Sequence, residues 1–160
     1  RVGCIVSKNK ALIQNLLKFA HLRLSPPTYA LIASEAALDA PESYLKGVIK
    51  EYSKRRKVLI DALEQIPEVE VSHPMGAFYC IAKLPVDDAE AFSKFLLTSF
   101  QNKGQTIMLA PAAGFYSTPN IGKKEVRIAF ILNSEKLLRA TKILEQGLIA
   151  YKKIHMETTV

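Results

Sequence analysis

The residue with the clearest chemical potential is Arg127, at the centre of the run Val126-Arg127-Ile128-Ala129-Phe130. In a strand, successive side chains point to opposite faces, so Val126, Ile128 and Phe130 share one face while Arg127 and Ala129 share the other. A small neighbour beside a guanidinium leaves room for a ligand. The fork of an arginine matches a carboxylate with two parallel hydrogen bonds. Three further segments stand out: Arg1-Val2-Gly3, Pro74-Met75-Gly76-Ala77-Phe78-Tyr79, and the loop Pro111-Ala112-Ala113-Gly114-Phe115. Each also has a plain structural explanation, as a turn, a tight loop relieved by glycine, or an arginine facing water.

The elements that must position these residues alternate between helices and strands. The opening run Val2 to Val6 is short, apolar and β-branched, which suits a buried strand. A helix is expected from Lys10 to Leu22, ended by the stiff Ser25-Pro26-Pro27-Thr28 segment. An alanine-rich helix follows from about Tyr29 to Leu38. Pro41 suits the first turn of a long helix to about Gln65, which Pro67 then ends. Strands are expected over Val69 to Val71, Ala77 to Ala82, Thr106 to Leu109 and Val126 to Ile131. Between them, a helix from Ala89 to Gln101 has Asp87 or Asp88 as its cap, and a last helix starts after Asn133-Ser134 and runs to about Lys153. This order predicts an α/β fold in which a small sheet is covered by helices. A boundary is expected near residue 40: residues 1–40 read as the edge of something larger, 41–153 as a compact unit, and 154–160 as a frayed polar tail.

Composition excludes several functions. A chain of 160 residues with 49% hydrophobic content suits a globular domain. No apolar run is long enough to cross a bilayer, so no membrane association is expected. The net charge of +7 is concentrated near Lys46, Lys50 and Lys54, a stripe opposite Leu45, Val48, Ile49, Tyr52, Leu59 and Leu63. That pattern describes a solvated amphipathic helix, and no nucleic-acid module accompanies it. The two cysteines, Cys4 and Cys80, sit in separate apolar runs and read as buried free thiols of a reducing, cytoplasmic compartment. His21, His73 and His155 lack metal-ligand spacing, so no metal site is expected.

The four segments, taken in order and spacing, resemble the C-terminal third of the fold-type-I, class I aminotransferases, the aspartate aminotransferase family. The likeness runs from Arg1 to about Lys153. It implies the C-terminal small domain (residues 41–153) and the end of the large cofactor-binding domain (residues 1–40). It implies pyridoxal 5'-phosphate as cofactor, an amino acid (aspartate or glutamate) and a 2-oxo acid as substrates, and a homodimer. Arg1-Val2-Gly3 is similar to the end of the family's Gly-x-Arg-x-Gly motif, which makes Arg1 the expected ligand of the cofactor phosphate. The Schiff-base lysine, in a Ser-x-x-Lys segment, would then precede Arg1, leaving this chain without a catalytic residue and inactive alone. Pro74 to Tyr79 is similar to the family's Pro-x-Gly-Ala-Phe-Tyr segment. Val126 to Phe130 is similar to its Val-Arg-Ile-Ser/Ala-Phe strand, whose arginine holds the substrate α-carboxylate; Arg127 takes that role here.

One departure concerns the loop before the last strand. Many members carry Pro-Gly-x-x-Phe, whereas this chain has Pro111-Ala112-Ala113-Gly114-Phe115, which changes the expected path of the loop over the substrate. Together with Arg23-Leu24-Ser25-Pro26-Pro27-Thr28, it looks like the branch with prephenate-using members. Arg23 is then either a ligand for a second substrate carboxylate, across a dimer interface, or a surface ion-pair partner. Two other readings stay open: a non-catalytic binding or regulatory module of the same fold, and another fold-type-I enzyme such as a decarboxylase or C–S lyase.

Overall fold

A computed structural model describes the backbone of residues 2–157 and the side chains through residue 154; Arg1 and residues 158–160 lie outside the described residues. The chain forms two compact units, Arg1–Gly47 and Val48–Val160. In the first, α1 (Lys10–Arg23) is capped by Asn9, whose side chain accepts from the Leu12 amide, and α2 (Thr28–Leu38) begins immediately after Pro27. The two prolines end one helix and open the next. The expected strand over Val2 to Val6 does not form: these residues have no ladder partner among the described residues, and Ile5 and Val6 are exposed. A strand needs a neighbour for its backbone N–H and C=O groups, whatever its side-chain pattern. Cys4, expected to be buried, is exposed for the same reason.

Helix α3 (Glu42–Leu63) runs from the first unit into the second, where Leu59, Ile60 and Leu63 are buried. The second unit is built on a four-stranded antiparallel sheet of β1 (Glu70–Val71), β2 (Tyr79–Lys83), β4 (Glu125–Ala129) and β3 (Ala110–Pro111), in the order β1-β2-β4-β3. Tyr79 pairs with Ala129 and Ile81 with Arg127 on one side of β4; Ala110 pairs with Arg127 on the other. β4 is therefore an inner strand, bonded along both edges. Pro111, which has no N–H to give, sits on the edge strand β3, where its missing donor costs no ladder bond.

One face of the sheet carries Cys80, Ala82, Val126 and Phe130, all buried, and packs into a single core with side chains of α3, α4 (Ala89–Thr98) and α5 (Ser134–Glu157). Phe92 and Tyr151 meet edge to face there, with ring centroids 5.2 Å apart. Gly147, buried in the middle of α5, lets α4 come close: a Cβ at this position would stand 2.6 Å from Leu96 Cδ2. Asp88 caps α4 by accepting from the Glu90 and Ala91 amides, and Asn133 caps α5 by accepting from the Lys136 amide. α5 continues to Glu157, four residues past the predicted end. α4 stops at Thr98, three residues early, and the Thr106 hydroxyl donates to the freed Leu96 carbonyl at 2.5 Å. Residues 106–109 keep the expected in–out alternation, with Ile107 and Leu109 against the core, but ladder pairing starts only at Ala110.

Two outcomes test this core. Truncating the fully buried Phe92 to alanine should lower unfolding free energy by about 3–5 kcal/mol, read from the denaturant midpoint. In native protein at pH 8, an alkylating reagent should modify Cys4 alone. Burial pushes the Cys80 thiol up to about 11, above its unfolded value. The stability tied to that thiol is therefore complete below about pH 9 and lost as pH rises through about 11. Native-state alkylation of Cys80 at the rate of Cys4 would contradict the packing.

Candidate carboxylate-binding site

The face of the sheet turned away from the core carries Tyr79 and Ile81 of β2, Ala110 of β3, and Arg127 and Ala129 of β4, all half-buried. This is the alternation that the sequence predicts. The Arg127 guanidinium carbon lies 4.4 Å from the centre of the Tyr79 ring and 4.6 Å from that of Phe115. Tyr79 sits diagonally across from Arg127 on the neighbouring strand, within reach of a long side chain. Phe115 arrives from the other side, at the end of a short 3-10 turn (Ala113–Phe115) that follows β3. The turn is closed by the Phe115 amide on the Ala112 carbonyl, at 2.9 Å. Ring contacts hold a guanidinium by its charge and surface, and leave its N–H groups free to donate in their own plane.

Those N–H groups have no acceptor among the described residues. The two carboxylates best placed on this face are already engaged. Glu125, two residues before Arg127 and on the same face, accepts from the Tyr116 hydroxyl at 2.5 Å. That hydrogen bond, with smaller contributions from burial and the carboxylate charge, raises the Tyr116 pKa above its ordinary value. Glu70 pairs with Lys83 at 2.7 Å. Arg127 is thus a half-buried cation with two rings against it and an open valence for an oxyanion.

The loop glycine that matters differs from the expected one. Gly114 has ordinary backbone geometry and open space around it, so it relieves nothing. Gly122 has φ +73, and a Cβ there would lie 2.4 Å from Tyr116 Cε2. It gives Tyr116 the space from which to reach Glu125. In the Pro74-Met75-Gly76 turn, the left-handed residue is likewise Ala77, at φ 58, and not Gly76. Pro74 offers its carbonyl to Arg56, whose Nη1 donates at 2.8 Å. Sequence reasoning singled out Arg127 but missed Tyr79, Phe115, Tyr116 and Glu125 as its surroundings. The alternation of β2 could have indicated Tyr79; the other three depend on the folding of a loop.

Arg23 lies in the other unit, exposed in the last turn of α1, and forms no ion pair among the described residues. Arg1 lies outside the described residues. Among the described residues there is also no group of three or more side chains able to hold a metal ion, and no helix is long and apolar enough to cross a membrane.

Residues 1–144 match the family model described as "Aminotransferase class I and II". The chain belongs to this aminotransferase family. It is 27% identical over 152 residues to an aspartate aminotransferase of Pyrococcus horikoshii, covering 92% of this chain and 37% of that protein. It is 30% identical over 142 residues to an LL-diaminopimelate aminotransferase of Natranaerobius thermophilus, covering 88% and 34%. Among solved structures, an alanine aminotransferase from Pyrococcus furiosus superposes with a TM-score of 0.70 at 26% identity, over 89% of this chain and 36% of that one. LysN of Thermus thermophilus, an α-aminoadipate aminotransferase complexed with N-(5'-phosphopyridoxyl)-L-leucine, shares the fold, with a TM-score of 0.63 at 18% identity, over 75% of this chain and 30% of that one. The chain therefore spans between a third and two fifths of the length of the curated relatives it matches first.

Replacing Gly122 with alanine should cost about 1–3 kcal/mol of stability, from left-handed strain and the displaced ring. The same variant should free Tyr116 from Glu125, so that its hydroxyl titrates closer to the ordinary tyrosine value in an ultraviolet pH titration. An unchanged titration would show that Gly122 does not support this contact.

Proposed function

We propose that this chain is the substrate-gripping C-terminal part of an aminotransferase, in which Arg127 binds the α-carboxylate of the amino acid and of the 2-oxo acid. The observation that carries it is the guanidinium without an acceptor, set between Tyr79 and Phe115 in the strand that the family likeness marks. Two parallel N–H donors fix both the position and the plane of a carboxylate, which orients the Cα substituents for reaction. The cofactor of the enzyme is pyridoxal phosphate, which supplies the electron sink for the transfer of the amino group. Aspartate or glutamate is the expected donor, Arg1 the expected phosphate ligand, and Arg23 a ligand for a second carboxylate. Residues 1–40 belong in this reading to the large domain and 41–153 to the small one, within a cytoplasmic homodimer.

The Arg127 face suits the carboxylate end of the substrate. A lysine that forms an imine must give up its proton readily. Lys83, on the same sheet face as Arg127, instead has a raised pKa, chiefly from its hydrogen bond to Glu70 and then from that carboxylate's charge. It stays an ammonium ion. The 160-residue chain alone is proposed to be inactive. Borohydride reduction after incubation with pyridoxal phosphate should leave no single lysine fully labelled in peptide maps.

The decisive experiment uses the enzyme that contains this chain, assayed with a panel of amino donors. Arg127→Leu leaves a carboxylate without its partner, which costs about 2–5 kcal/mol, or roughly 30-fold or more in kcat/KM. Arg127→Lys keeps the charge but loses the fork, and should recover only part of the activity. A folded Arg127→Leu enzyme with kcat/KM unchanged for every donor would overturn the reading.

A further inference from the structure

A second polar depression lies in the Val48–Val160 unit, with none of its lining residues on the Arg127 face. Between α4 and β3 the chain reverses at Asn102-Lys103-Gly104-Gln105. The backbones of Asn102 and Gln105 exchange two hydrogen bonds, of 2.7 and 3.1 Å. Lys103 and Gly104 both have positive φ, 52° and 75°, as in the two-residue turns that match the twist of a hairpin. A lysine in the left-handed region is strained where asparagine or glycine would be at ease. The turn faces the middle of α5 across a depression of about 500 Å³, a volume suited to a small molecule.

The depression is strongly basic for its size. Lys103 reaches it from the turn, and Arg139 and Lys142 reach it from α5, three residues apart on one helix face. The carboxamides of Asn102, Gln105 and Gln146 line it as well. Its one carboxylate is that of Glu145. None of Lys103, Arg139, Lys142 or Glu145 forms an ion pair among the described residues. Three cations gathered around one hollow repel each other, and the Arg139–Lys142 spacing places two of them side by side. A bound oxyanion removes that repulsion, with the guanidinium and two ammonium groups supplying charge and the carboxamides supplying directed donors.

We propose that the hollow between the Asn102–Gln105 turn and α5 is a binding site for a compact polyvalent oxyanion of small-molecule size, a phosphate ester or a polycarboxylate. The site goes beyond the carboxylate grip at Arg127 and stands whether or not that reading holds.

The test is a titration of the isotope-labelled 160-residue chain, followed by amide NMR shifts at constant ionic strength. Inorganic tripolyphosphate and citrate serve as separate probes, and an Arg127→Leu background keeps citrate from reporting on the other site. Saturable shifts confined to residues 102–105 and 139–146 are expected from at least one probe. Phosphate esters are the ligand class if tripolyphosphate alone binds, polycarboxylates if citrate alone does, and both if both do. The pair Arg139→Gln and Lys142→Gln should weaken binding at least about 10-fold, while Lys50→Gln with Lys54→Gln, on the basic stripe of α3, should change it less than about 2-fold. Lys103→Asn, which suits the left-handed turn, should melt no lower than the parent and still bind more weakly. Three results would overturn the proposal: no saturable shift with either anion, shifts spread over all basic surfaces, or equal losses in the α5 and α3 variants.

Discussion

The Val48–Val160 unit depends on β4 being an inner strand. Its backbone is bonded to β2 along one edge and to β3 along the other. Because side chains alternate along a strand, one five-residue segment serves two environments. Val126 goes into the core and Arg127 goes out, and neither can change face without a register slip that would move every other residue of the strand. The hydrophobic burial of Val126 and Phe130 on the opposite face thereby sets the direction of the guanidinium. Stability and the orientation of this arginine are linked through register.

Register alone would leave Arg127 free to pair with the nearest acid. A guanidinium and a carboxylate two residues apart on one strand face are close enough for long side chains to meet. That option is removed because both acids on this sheet face have another partner. Tyr116 occupies Glu125, and Lys83 occupies Glu70. The aromatic contacts then stabilise the cation without using its donors. An arginine held in this way is pre-organised: little rearrangement is needed when an oxyanion arrives, so more of the interaction appears as binding.

Much of this was legible in the sequence, for identifiable reasons. α3, α4 and α5 were readable because their apolar spacing and caps are local: Asp88 and Asn133 act on amides two or three residues away. β2 and β4 were readable because alternation is local too. The failures came where the outcome depends on a distant partner. Val2 to Val6 has strand composition but pairs with no strand among the described residues, so Cys4 is exposed as well. Residues 106–109 alternate correctly, yet ladder bonding begins only opposite Arg127. Gly114 and Gly76 looked like the special turn positions, whereas positive φ in these stretches falls at Ala77, Asn120 and Gly122. Backbone sign is set by how a loop closes on its neighbours, and composition reports that only loosely.

The same distinction separates the parts of the site. Arg127 belongs to a strand whose pattern declares its face, so its direction followed from periodicity, and only the ligand proposed for it rests on family likeness. Phe115 and Tyr116 belong to a loop that departs from the family's usual glycine placement, and there likeness is a poor guide to geometry. In this chain Ala113–Phe115 winds into a 3-10 turn, which brings Phe115 onto the guanidinium and directs Tyr116 toward Glu125. The loop closes over the arginine by this tight turn. Gly122, outside the motif, supplies the left-handed freedom that the motif's own glycine does not use.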